Sequence, residues 1–591
     1  MHSSARAAVV MLLSLSAITV LGQQPISFQP GPLGRISGRV VDADSSQPVA
    51  GARVSLSDPG RRRQAIADDN GRFVFEAVPA GVFELLADLE GYRGSEFGQR
   101  QPRGSWQWFD LADGEQVADV ALKMWRMASL SGTVLSEGGQ PAPGVTVQAL
   151  RKIETEGHAR FSIVGRPCVT DPRGSYFLSD LTPGDYVLAA TASRHGGSFD
   201  RGAASLTLTT YAPSALVPGD ATVLTLRSGE DRRNVEIRRR PLPAHTVSGR
   251  LTDPPGGQTI PLHLVPTDST GYIAPLATLS TFAASDGTFS FQGVPPGAYT
   301  LSTVVVPRAQ YTPGSLSLRQ ELGTDGQSFG FPNSERGSPI ARPPDAPTYW
   351  VASPLNVGDA DVNAGDILIR QAARISGRVE FDPAGDRPTV EQMRRTPLIV
   401  MESNRSDLGT FPAGAIEADG RFRMVGLPPG QYSIWILSLL EGGMRGWITA
   451  SVRQGARELS GATFDLGTTD ITDVVVTLTT RPTRISGVAR DETGRVDPDA
   501  MLYVFPADRS RWGALEMNAH WPIVMRPARS GKYTTYGLAP GGYVVSALSS
   551  DAPDPPRTSA DVERILRAGV PVTVSPNETH ALDLVVRRWQ P

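Results

Sequence analysis

Ile36-Ser37-Gly38-Arg39-Val40 opens a pattern that returns four more times along the chain, as Leu130-Ser131-Gly132-Thr133-Val134, Val247-Ser248-Gly249-Arg250-Leu251, Ile375-Ser376-Gly377-Arg378-Val379 and Ile485-Ser486-Gly487-Val488. In each copy a glycine, a polar residue and an aromatic follow 33 to 44 residues later: Gly71-Arg72-Phe73, Gly174-Ser175-Tyr176, Gly287-Thr288-Phe289, Gly420-Arg421-Phe422 and Gly531-Lys532-Tyr533. Ten residues past that glycine comes a second one, in a Pro-containing turn that leads to another aromatic: Gly81 before Phe83, Gly184 before Tyr186, Gly297 before Tyr299, Gly430 before Tyr432 and Gly541 before Tyr543. A spacing kept five times identifies a repeat of one supersecondary unit.

Asn70-Gly71 and Asp286-Gly287 favour positive φ, which suits a hairpin turn. The alternation of Phe73 with Phe75, Tyr176 with Leu178 and Phe422 with Met424 predicts a strand with one buried face. Proline then ends that strand, because it cannot donate to a ladder. A further strand closes each copy, at Val117 to Leu122, Asn234 to Ile237, Ile367 to Ile369, Val474 to Leu478 and Leu582 to Val586. About seven short strands in roughly 95 to 128 residues is the size of a β-sandwich.

The reading is therefore all-β: five tandem sandwich modules at 31–124, 127–239, 244–370, 372–480 and 482–591. The links between them are a few residues long, which favours a semi-rigid rod. The Gly-, Ser- and Pro-rich stretch 307–347 reads as a long mobile loop of the third module. One helix is expected, in the last module, capped by Ser559, striped by Val562, Ile565 and Leu566 and stopped by Gly569.

A chain of 591 residues with 40% hydrophobic and 20% charged residues has the composition of packed domains. Its 61 glycines and 49 prolines carry no collagen period, so they belong to turns. A net charge of −3 excludes a broad attraction to nucleic acid, and the runs Arg61-Arg62-Arg63 and Arg238-Arg239-Arg240 read as solvated loops and strand ends. Residues 1–22 read as a signal peptide, with Arg6 before an apolar stretch from Ala7 to Leu21. The expected destination is the periplasm, the outer surface or the medium, without membrane insertion of the mature chain. Cys168 is the single cysteine, so no disulfide can form within the chain.

Ile36-Ser37-Gly38-Arg39-Val40-Val41-Asp42, then Pro48-Val49-Ala50-Gly51-Ala52-Arg53-Val54, Asp69-Asn70-Gly71-Arg72-Phe73 and Pro79-Ala80-Gly81 resemble the carboxypeptidase regulatory-like domain. The resemblance extends over nearly all of the chain after residue 30 and fits the first module best. It implies a Greek-key, prealbumin-like (transthyretin-like) sandwich, related to starch-binding-like domains. It also implies an accessory, structural or binding role.

Chemistry is hard to find. A zinc peptidase needs His-x-x-Glu and a distant His, and none of His158, His195, His245, His263, His520 or His580 has Glu three residues on. Gly326-Gln327-Ser328-Phe329-Gly330 has the form of a nucleophile elbow, but its flanks read as loop. Asp68-Asp69-Asn70 and Asp42 with Asp44 offer oxygen ligands for calcium, and turn chemistry explains them better. Cys168 reads as a half-buried strand residue. No catalytic residue, cofactor or metal is expected.

The candidates for stacking on a ligand are Trp106 and Trp108, two apart and on one face if on a strand, together with Trp350, Trp512 and Trp521. Against each stands a place in a hydrophobic core. The expected function is a non-catalytic exported array with a structural, adhesive or accessory role at the cell envelope. Carbohydrate or peptide binding is the alternative, with carbohydrate or envelope proteins as partners.

Overall fold

The computed structural model describes residues 31–590 apart from 59–60, 156–157, 193–208, 241–244, 256–258, 268–277, 306–344, 384–385, 397, 403–412, 437–442, 445, 461–462, 513–521 and 536. Residues 1–22, read as a signal peptide, the stretch 307–347, read as a loop, the Gly-x-Ser-x-Gly string and Trp521 fall wholly or largely outside the described residues. Among those that are described, strands dominate and form ten sheets, which pair into five sandwiches.

In the first module the strands are β1 (Gly34–Asp42), β2 (Arg53–Ser57), β3 (Arg62–Ile66), β4 (Arg72–Val78), β5 (Gly81–Asp88), β6 (Tyr92–Arg93), β7 (Ser95–Glu96), β8 (Phe109–Leu111) and β9 (Gln116–Arg126). The first sheet runs β4-β1-β9-β6, with β1 antiparallel to β4 and parallel to β9. The second runs β3-β2-β5-β7, with β8 also on β5. The Ser-Gly strand is central in the same way in the other modules. Ala128–Leu135 lies between Ser175–Leu181 and Asp231–Arg238, and Ala373–Phe381 between Arg421–Leu427 and Ile471–Thr479.

This pairing corrects the hairpin reading of the repeat. The Asn70-Gly71 turn is tight, with Gly71 N–H donating to the Asp68 carbonyl at 2.8 Å, but β3 pairs with β2 and β4 pairs with β1. The turn hands the chain from one sheet to the other, and the Pro79-Ala80-Gly81 turn hands it back, because β5 pairs with β2. The ten-residue ruler thus spans one crossing strand and its two corners.

The signature glycines are fixed by close approaches. In β9 Asp119 has φ +60°, and the register against β1 shifts between Ile36 and Gly38. Asn234 and Asp473, at φ +59° and +60°, make the same bulge in modules 2 and 4. A bulge re-aims the backbone locally. Here it drives a carbonyl at the Ser-Gly strand: a Cβ on Gly38 would lie 2.1 Å from Val120 O, one on Gly132 1.8 Å from Val235 O, and one on Gly377 1.8 Å from Val474 O. Gly487 meets Leu582 O at 1.9 Å in the same way. Only hydrogen fits.

The second signature glycine is held by the backbone of the same strand. Val40, Val134, Leu251 and Val379 each donate N–H to the carbonyl of Gly71, Gly174, Gly287 and Gly420 at 2.8 Å, and Ala489 to Gly531 at 2.9 Å. At the next corner the aromatics take a further role. The hydroxyls of Tyr186, Tyr299, Tyr432 and Tyr543 donate to the carbonyls four residues earlier, of Thr182, Pro295, Pro428 and Ala539.

Each sandwich has its own core, with Ile36, Val54, Phe73, Phe75, Leu85 and Leu122 among the buried residues of the first. The last module carries a second apolar layer. Its strand Met501–Pro506 is buried on both faces, because Val562 and Ile565 of a helix, with Trp512 and Trp589, cover Met501, Tyr503 and Phe505 from outside. That helix (Ser559–Arg567, here α2) is capped by Thr558 rather than Ser559. Thr558 Oγ1 accepts from Asp561 N–H at 3.0 Å, and the Asp561 carboxylate accepts from Thr558 N–H in return. A short helix in the fourth module, α1 (Val390–Arg394), escaped the sequence reading although Thr389 and Gln392 form a capping box.

Two outcomes follow from this packing. Gly132→Ala should destabilise the second module by about 3 kcal/mol, the upper range for forced overpacking, whereas Gly138→Ala, with open space around it, should stay within about 0.5 kcal/mol. Denaturant unfolding of the two variants measures the difference. Burial pushes the phenols of Tyr176 and Tyr533 well above their ordinary value. Below about pH 10 both folded and unfolded chains hold these protons. Above it the unfolded chain releases them first, so stability should fall steadily with rising pH. Phenolate absorbance should then rise together with unfolding, as a combined optical and circular-dichroism titration would show.

Candidate functional site

The structure separates the tryptophans. Trp350 lies in the strand Tyr349–Val357 at 7% exposure, with the Arg370 guanidinium 5.8 Å from its ring. Trp512 belongs to the outer apolar layer of the last module, and its Nε1 donates to Pro506 O at 2.8 Å. Both are core residues. Trp106 and Trp108 do come together, with ring centroids 4.6 Å apart at 66°, and both are half-buried. They lie on a loop rather than a strand, however, so they meet edge to face instead of forming a flat strip.

That loop, between β7 and β8, together with β8 and the turn after it, touches the last module. Gln107, between the two tryptophans and 5% exposed, donates from Nε2 to the carbonyls of Pro498 and Pro527. Ser105 donates from N–H and Oγ to the Asp554 carboxylate at 2.6 and 2.8 Å, and Gln101 Nε2 donates to Asp554 O at 2.6 Å. From the other side Arg526, 3% exposed, donates to Gly98 O and pairs with Asp499 at 2.8 Å. Asp499 also holds Arg100 of the first module at 2.7 Å. Arg529 reaches across to Glu115 at 2.6 Å and to Asp110 O at 3.0 Å, with its guanidinium 5.5 Å from the Phe109 ring.

The energetics of this clasp are uneven. The Glu115–Arg529 and Arg100–Asp499 pairs are partly exposed, and such pairs contribute about 0–1 kcal/mol. The groups that fix the fit are the buried amide of Gln107 and the guanidinium of Arg526, because leaving their partners unsatisfied costs about 1–3 kcal/mol each. Burial and the neighbouring Arg100 draw the Arg526 pKa down, and Asp499 opposes them. The Glu115 carboxyl is held below its ordinary value by the Ala112 N–H and by Arg529.

The contact between the first and last modules corrects the expectation of a rod, since a straight array keeps its ends apart. No sequence signal marked Arg100, Gln107, Arg526 or Arg529. Their partners lie some 390 to 450 positions away, and the loop that carries the first two stands outside the repeat.

Other proposed sites resolve into local structure. Asp42 Oδ1 accepts from Asp44 N–H, Ser45 N–H and Ser45 Oγ, and Asp68 Oδ1 accepts from Asn70 and Arg72 N–H, so these carboxylates close turns. Cys168 is half-buried in the strand His158–Val169, and burial raises its thiol pKa. A shallow cavity of about 270 Å³ in the first module is lined by Leu56, Asp58, Arg61, Arg63, Pro79 and Phe83. The Arg63 guanidinium there donates to the carbonyls of Glu76 and Ala77. Among the described residues no helix is long and apolar enough to cross a membrane.

Residues 35–112 match the carboxypeptidase regulatory-like domain family. Among curated proteins, BOS complex subunit NOMO1 of Mus musculus is 30% identical over 145 residues, 24% of this chain and 11% of that protein. BOS complex subunit NOMO3 of Homo sapiens is 29% identical over the same length, again 11% of its own. The chain thus spans about a ninth of these relatives. Among solved structures, GBS52, the minor pilin of Streptococcus agalactiae, is 16% identical at a TM-score of 0.20, over 36% of this chain and 98% of that one. BcpA, the major pilin subunit of Bacillus cereus, is 10% identical at 0.15, over 78% and 99%.

As pH falls through the depressed pKa of Glu115, below the usual carboxylate value of about 4.3, the contribution of its pair with Arg529 should be lost. It should be fully present above the unfolded value. Denaturant unfolding across acid pH should show about 0–1 kcal/mol of stability lost through this window, and the loss should be absent in Glu115→Gln.

Proposed function

We propose that this chain is an exported, non-catalytic scaffold of five sandwich modules with a structural, adhesive or accessory role at the cell envelope, directed there by residues 1–22. The observation that carries this reading is where the repeated residues go. The signature positions serve the sandwich itself: the Ser-Gly glycine of modules 1, 2, 4 and 5 faces a carbonyl of the closing strand, the corner glycine accepts from the central strand, and the tyrosine hydroxyl of modules 2 to 5 caps a turn.

Polar contacts between modules support the same reading. Arg126 N–H donates to Ser228 Oγ at 3.0 Å between the first and second, and Arg423 pairs with Asp345 at 2.7 Å between the fourth and third. Thr479 Oγ1 and Asn577 Oδ1 lie 3.3 Å apart between the fourth and fifth.

Carbohydrate binding is the second reading, and the half-buried Trp106–Trp108 pair is the observation that favours it. Tryptophan faces can stack on sugar rings, although the edge-to-face geometry leaves no continuous platform.

Cell fractionation followed by co-sedimentation of the purified protein with isolated envelopes tests both readings. The scaffold reading expects the protein outside the cytoplasm and bound to envelopes, with binding unchanged by free glycan or by Trp106→Ala/Trp108→Ala. Binding that is competed by glycan and lost in the double variant would favour the second reading. Retention in the cytoplasm would overturn both.

A further inference from the structure

The clasp joins two different surfaces at opposite ends of one chain. The loop of the first module offers Arg100, Ser105 and Gln107, the turn between β8 and β9 offers Glu115, and the last module answers with Asp499, Asp554, Arg529 and the carbonyls of Pro498 and Pro527. Such a contact is heterologous. Formed within one chain it closes the array, and formed between chains it joins the head of one to the tail of the next, giving rings or filaments.

From this we infer that the clasp is a self-association site whose partner in trans is the last module of a second copy of this chain. The inference stands on the contact itself and does not depend on what the array holds at the envelope.

Three features make the exchange feasible. The surfaces are mostly polar, with partly exposed ion pairs, so either can face water when the clasp opens. Of the buried groups, the Gln107 amide donates to carbonyls of the other surface, and Arg526, which also pairs with Asp499 of its own module, donates across the contact to Gly98 O; those partners are the same in cis and in trans. The two ends are also tethered through three intervening modules, so the closed form wins by effective concentration alone. Anything that strains the array, or raises the chain concentration towards that value, shifts the contact from one chain to two.

Charge reversal separates the two arrangements. In Glu115→Arg the reversed residue faces Arg529 of its own chain, and in Arg529→Glu it faces Glu115, so each variant repels its own clasp. Mixed together, the arginine at 115 of one chain meets the glutamate at 529 of the other. The second pair of surfaces keeps the native Glu115–Arg529 match.

Each variant alone should run as a single chain with a larger radius of gyration than the parent. An equal mixture should form assemblies of at least twice the mass, containing the two chains in equal amounts. The combined variant Glu115→Arg/Arg529→Glu should regain the compact single-chain form, which shows that the substitutions leave the modules folded. Light scattering with size-exclusion chromatography reads all four samples. The inference is overturned if the mixture stays at the mass of one chain. It is equally overturned if each variant keeps the parent radius, or if the combined variant stays expanded.

Discussion

The close contact between the Ser-Gly strand and a carbonyl of the closing strand underlies modules 1, 2, 4 and 5, and in module 3 the Phe289 ring takes the place nearest to a Cβ on Gly249, with Gly365 O 3.1 Å away. A parallel strand must lie against β1 and its counterparts to complete the first sheet, and the bulge at Asp119, Asn234 or Asp473 turns a carbonyl towards them. Glycine is the residue that permits the approach. Once the closing strand is seated, the opposite edge of the central strand is free to take β4, and the corner glycine docks on it through its carbonyl. The tyrosine hydroxyls of modules 2 and 5 extend the same logic. Tyr176 donates to Val235 O and Tyr533 to Leu582 O, the carbonyls that crowd Gly132 and Gly487.

Much of this was legible in the sequence, because repetition turns weak local signals into a ruler. Period-two alternation from Phe73 to Phe75 and from Phe422 to Met424 marked strands with one buried face, and about seven short strands in each copy pointed to the β-sandwich class. What periodicity does not show is which strand a given strand pairs with. Asn-Gly signals a tight turn equally well in a hairpin and at a corner between sheets, so the turn was read correctly and the strand pairing across it was not. The cap of α2 shows the limit at finer scale. Thr558 and Ser559 are both good caps, and the choice rests on Asp561 lying three residues after Thr558.

The candidate site was legible only in its aromatics. Trp106 and Trp108 stood out by type and spacing, yet their setting depends on Gln107, whose partners belong to another module. Trp350 and Trp512 went to cores, as large apolar side chains usually do when strands beside them offer a face. The polar clasp left no trace because nothing in a local window distinguishes a contact residue from a solvated one.

A linear array of modules has two ends, each with a single neighbour and one uncovered interface, and its stability is a sum over adjacent pairs. Tying the first module to the fifth gives each of them an interface beyond the one with its neighbour in sequence. Terminal modules are normally where such arrays fray first. Here separation of the first or the fifth module from its neighbour must also break the clasp, so these two modules protect each other.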